Sequence, residues 1–179
     1  LVIPETCGDL FMDIQATFGL SVLCSFVAFG LVAKLYVWRR LKTLDRNDAL
    51  LPLVVLHTVP FGGLSFLVPG VVSPSLPPAI AVPAAFGDLV AAILALAASV
   101  ALIRRWSSAI AIVWVFNLWG TADLLFAFYQ GLFGARLDPR ELGAAFFIPT
   151  VVVPALLITH ALIFRLLARP RPLQPRLAS

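Results

Sequence analysis

Charged side chains are scarce in this sequence. Asp, Glu, Lys and Arg make up 12% of its 179 residues, about half the roughly 25% of an ordinary soluble domain. So little charge excludes a water-covered globule. Sulfur chemistry is nearly absent as well. Of two cysteines, Cys7 precedes the first apolar run and Cys24 lies inside it, so they reach no common depth and no disulfide is expected. There is no Gly-x-x-x-x-Gly-Lys phosphate loop, no His-Glu-x-x-His, no Cys-x-x-Cys and no Gly-x-Ser-x-Gly elbow. Nucleotide, zinc-peptidase, dithiol and serine-hydrolase chemistries therefore lack their signatures. Period-two strands of about ten residues are missing too, which argues against a membrane barrel.

What is present is apolar: 61% hydrophobic residues and a mean hydropathy of +1.00. Lipid is the solvent for most of the chain, and a helical bundle is the architecture that satisfies its backbone there. The expected fold is an all-α integral membrane protein forming a single transmembrane domain. Its five transmembrane helices cover residues 14–38, 49–69, 84–104, 108–131 and 144–168, followed by a basic Pro/Arg-rich tail at 169–179. The chain begins at Leu1. Its first apolar run is too long for a signal peptide and lacks a small-residue cleavage site, so it reads as a span.

Prolines predict where the bundle is irregular. Pro60 would remove a backbone hydrogen bond in the second span, and Gly62 and Gly63 follow at once, so a kink or short unwound stretch is expected there. Pro149 and Pro154 predict a kinked fifth span, with Thr150 available to a freed backbone group. Residues 71–78, with Pro74, Pro77 and Pro78, read as a connector too rich in proline for a helix.

The bases set the orientation. Arg outnumbers Lys eleven to two, and together with abundant Ala, Leu and Val this suggests a bacterial origin and a cytoplasmic membrane. Eleven of the thirteen bases fall on the 1–2 connection, the 3–4 connection, the C-terminal tail or adjoining span ends; only Arg136 and Arg140 lie on the other side. The positive-inside rule places the N-terminus outside and the C-terminus in the cytoplasm. A net charge of +4 thus reflects topology; no nucleic-acid partner is expected, and anionic lipid suits the basic face.

Function must come from polar groups held at bilayer depth, which are costly and face protein or water. The fourth span carries Asn117, Thr121, Asp123 and Gln130. Counting about 1.5 Å per residue from the cytoplasmic end puts His57, Asn117 and His160 at about 12–13 Å, and Asp123, Asp88, Cys24 and Ser25 at about 20–24 Å. The polar residues sort into an inner His/Asn layer and an outer carboxylate layer, bridged at Gly120. Asp88, Ala92, Ala95 and Ser99 form one small-residue stripe that lets helices approach closely.

The expected activity is binding or moving a small solute, proton or cation at a polar cavity lined by Asp123, Asn117, His57, Asp88 and His160. Asp123 would change protonation, and the break at Pro60, Gly62 and Gly63 would permit local opening. No resident metal or cofactor is expected. Three alternatives belong to other classes: a haem b redox subunit using His57 and His160, an intramembrane enzyme acting on a lipid or quinone, and an assembly subunit with no site of its own. A homo-oligomer through the small-residue stripe competes with using that stripe to bury Asp88 in the monomer.

Overall fold

A computed structural model describes residues 13–59, 61–134 and 137–169, with the side chain of Phe61 left aside. Cys7, Pro60, Arg136 and the tail beyond Arg169 lie outside the described residues. The described chain is helical throughout, apart from loops and one isolated bridge between Pro69 and Val72. Four helices are long and apolar enough to cross a membrane: α1 (Ile14–Leu41), α4 (Pro78–Ile103), α5 (Ala109–Gly134) and α6 (Ile148–Leu167). Between α1 and α4 lie α2 (Arg46–Leu56) and the one-turn α3 (Phe61–Leu64), which runs on as a 3₁₀ turn at Ser65–Leu67.

The second apolar segment is therefore not one helix over 49–69. Regular hydrogen bonding stops at Leu56, and the helix restarts at Phe61. Even so, these pieces run the length of the bundle. Asp48 pairs with Arg105 at the C-terminal end of α4 across 3.2 Å, here called the basic end. At the distal end, Ser73 N–H donates to the carbonyl of Glu141 at 2.8 Å, and Ala144 N–H donates to that of Val71 at 2.9 Å.

α4 begins six residues before the expected 84, at Pro78. Proline is accepted in a helix's first turn because its missing N–H would have no partner there. The proline-rich connector thus ends as the start of a helix, and Asp88 lies in the third turn rather than near an end. α6 also departs from a uniform helix. Residues Ile148–Val152 form a π-helical turn around Pro149, and Thr150 Oγ1 donates to the Phe146 carbonyl at 2.7 Å.

Packing divides the molecule along its length. The basic half is a continuous core in which Leu50 and Val54 of α2, Ala98 of α4, Phe116 of α5 and Ile163 of α6 are fully buried. The alanines of α4 make this possible: lipid supplies little hydrophobic drive between helices, so close backbone approach through small side chains provides the cohesion. Ala92, Ala95 and Ser99 of the small-residue stripe are all buried inside the chain. At the distal end a second cluster of Phe66, Leu76, Ala81, Leu142 and Ala145 packs under the 3₁₀ segment Pro139–Phe146. A cavity lies between the two.

Candidate functional site

The two histidines meet across α2 and α6. His57 is the residue at which α2 ends, and His160 lies within the regular part of α6. Their ring centroids are 4.3 Å apart, and Phe116 packs against both, at 5.2 Å and 5.4 Å.

The hydrogen bonds assign the protons. Thr159 donates its hydroxyl to the Leu156 carbonyl at 2.7 Å, so its oxygen accepts from His57 Nε2–H at 2.8 Å. Asn117 Nδ2 donates to the His160 carbonyl at 3.3 Å, leaving Asn117 Oδ1 to accept from His160 Nδ1–H at 2.8 Å. Each imidazole then donates through one nitrogen, and the other has no hydrogen-bond partner among the described residues. Gly120 makes this packing possible, because a Cβ on it would sit 2.6 Å from His160 Cε1 and 2.7 Å from Nε2.

This cluster is compact, and it bears on the haem alternative. Bis-histidine ligation needs two imidazoles on opposite faces of a porphyrin, each aiming a nitrogen at the iron. Rings tilted by 43° with centroids 4.3 Å apart leave no room for a macrocycle between them.

Above the cluster, towards the distal end, is a cavity of about 870 Å³. His57 forms part of its floor, and both Asp88 and Asp123 line its wall; Asn117 and His160 lie beneath it and do not line it. The expected five-residue site is thus a three-residue cavity wall over a hydrogen-bonded pair. Cys24 of the expected outer layer faces outward from α1 and does not line the cavity.

The two carboxylates are held differently. Asp88 Oδ2 accepts from the backbone N–H of Gly63 at 2.7 Å. A helix start leaves such N–H groups without intrahelical partners, so Asp88 of α4 caps the start of α3. Gly63 must be bare for this, since a Cβ there would lie 2.6 Å from Asp88 Cβ. Asp123 has no hydrogen bond or ion pair among the described residues. Its carboxylate rests against the bare face of Gly87, where a Cβ would collide with it, and Trp119 Nε1–H donates to the Gly87 carbonyl at 3.3 Å. Trp119 and Asp123, one turn apart on α5, straddle that glycine. Thr121, two residues before Asp123, donates to the Asn117 carbonyl at 2.7 Å.

Residues 17–168 match the family described as a domain of unknown function, DUF8737. The chain belongs to that family. No curated protein and no solved structure matches it. The DUF8737 match spans the His57–His160 cluster and every cavity-lining residue except Gln15.

Three contributors to the site, Phe116, Thr159 and Gly87, are not among the residues that the sequence singles out. A glycine directly before an intramembrane aspartate is a signal for Gly87. Nothing in the local sequence singles out Phe116 among 14 phenylalanines.

Proposed function

We propose that this DUF8737 chain is a cytoplasmic-membrane protein that binds and moves a small cationic solute, or protons, through the cavity bounded by Asp88, Asp123 and His57. One observation carries this reading: Asp123, which has no partner among the described residues, presents its carboxylate to a cavity of about 870 Å³, within the roughly 300–1,000 Å³ of small-molecule sites. An intramembrane carboxylate without a partner is costly unless something charged or protic comes to it.

The mechanism uses the chain's own groups. Asp123 exchanges its proton for the cation. Asp88, engaged by Gly63 N–H on one oxygen, offers the other; as a cation draws that carboxylate away, α3 loses its cap and the break after His57 is free to open. His57 closes the floor, anchored to Thr159.

In this reading the pieces between Asp48 and Ser73 are a fifth, broken crossing, with the N-terminus outside, the C-terminus in the cytoplasm and bases concentrated at the inner face. Arg165 and Arg169 both stack on Trp38 there, 3.8 Å and 4.6 Å from the ring centroid, which suits contact with anionic headgroups. The test is ion and proton flux in vesicles reconstituted with the full chain. Flux that Asp123→Asn abolishes supports the proposal, and flux indifferent to that substitution defeats it.

A further inference from the structure

The cavity is far larger than a proton or a metal ion needs, and its lining is unusual in sign. The ionisable groups among the described lining residues are Asp88, Asp123, Asp138 and His57, and none of those described residues is Lys or Arg. Most of the remaining wall is aliphatic or aromatic, including Phe18, Phe66 and Phe128. Aromatic faces attract cations and also cover apolar surface. Among the described residues no group of three or more His, Cys, Asp or Glu is arranged to hold a metal ion. The carboxylates thus do not form an oxygen cage of the kind a bare divalent cation takes. Their surroundings instead match a charge attached to an apolar body.

The distal end is bordered by Phe66 and Leu142, which belong to the cluster beneath Pro139–Phe146, and the opposite end by His57 and Leu56. α5 and α6 are held together at their basic halves, by Asn117 with His160 and by Trp114 against Phe164 at 5.7 Å. Further along, Phe128 and Leu132 of α5 and Ile148 and Val152 of α6 border the cavity itself. Leu132 is 59% exposed and Val152 40% exposed. Both helices are apolar enough to cross a membrane, so a gap between them faces lipid rather than water.

The geometry points to a lipophilic organic cation as the ligand: an ammonium or phosphonium on an aromatic or branched apolar body, reaching the cavity from the bilayer between α5 and α6 and placing its charge beside Asp88 and Asp123. This rests on the proposed role of the cavity and names its ligand class.

The experiment compares two probes of nearly one shape and opposite charge, tetraphenylphosphonium and tetraphenylborate, titrated against the full chain in lipid nanodiscs with calorimetric readout. The phosphonium should bind saturably at one site per chain and the borate should not. Asp123→Asn should weaken phosphonium binding at least about tenfold, the scale of losing one charge-assisted contact, and Leu132→Trp should slow its association by narrowing the gap. Size-exclusion profiles and thermal unfolding of each variant separate misfolding from loss of the site, and Asp88→Asn provides a second charge deletion should Asp123→Asn not fold. Equal uptake of both probes, or phosphonium binding that ignores both aspartates, overturns the inference. Absence of phosphonium binding alongside Asp123-dependent ion or proton flux overturns the ligand class while the cavity's proposed role stands; absence of both removes the two together.

Discussion

Asp88 and Gly63, twenty-five residues apart in the chain, are joined by a 2.7 Å hydrogen bond from the glycine N–H to the carboxylate. The bond ties the rigid α4 to the short helix that follows the break, so one carboxylate is both a cavity wall and a structural cap.

Replacing Asp88 with Ala should therefore cost about 1 kcal/mol, with a range of roughly 0.5–2, as for other lost caps. Asp88→Asn keeps an acceptor and should retain most of that. Thermal unfolding ranks the two variants, and faster amide exchange at Gly63 and Leu64 in Asp88→Ala alone would localise the effect.

Gly120→Ala puts a Cβ into the His160 ring, and overpacking of this kind costs about 1–3 kcal/mol. Gly30→Ala is the matched control, because a Cβ there meets nothing within 4 Å. Equal unfolding temperatures for the two variants would contradict the packing described.

Asn117 and His160 should couple energetically. Interhelical hydrogen bonds in membranes average about 0.6 kcal/mol and reach roughly 1.7. The Asn117–His160 pair has two contacts, one through the ring and one through the backbone carbonyl. A double-mutant cycle with Asn117→Ala and His160→Phe should give a coupling of about 0.5–2 kcal/mol. A cycle that closes at zero would mean the contacts add no stability.

Gly87→Ala should impair the proposed flux in the same direction as Asp123→Asn, because its methyl displaces the carboxylate that rests on the bare backbone. The two changes act on one group, so the double variant should be no worse than Asp123→Asn alone. Additive losses would show that Gly87 acts by another route.

Orientation is open to labelling. With the N-terminus outside, and with Cys7→Ser in both variants, Ser75→Cys at the distal end should react with an impermeant maleimide added to intact cells, whereas Thr43→Cys should react only after lysis. Cys24 lies exposed on the face of α1, at bilayer depth by its position in the span, and should resist that reagent in both conditions. The reverse labelling pattern would invert the topology.

Parts of this architecture were legible residue by residue. Apolar runs locate the four long helices to within a few residues at most ends, because hydropathy is a local property and bilayer thickness sets the length of a span. Counting residues from the basic ends set His57, Asn117 and His160 at one depth, and the structure places them in contact, since rise per residue is the same in every helix. α4 starts earlier than expected because Pro78 does not break the helix but occupies its first position, where proline is accepted, with Pro77 as the residue before it. In the second segment a kink or short unwound stretch was expected near Pro60, and the helix is interrupted between Leu56 and Phe61, with the restart supported by Asp88 from another helix.

The sequence by itself determined that the chain carries helices long and apolar enough to cross a membrane, because hydropathy and helix length are local properties. Tertiary structure alone decided which groups meet: that Asp88 caps Gly63, that Asp123 lies on Gly87, and that both aspartates line one cavity with residues of α5 and α6. Those facts depend on how each helix is rotated about its axis. Helices apolar on every side carry no amphipathic stripe to set that rotation, and it emerges only when small residues such as Gly87, Gly120 and the alanines of α4 let particular faces come together.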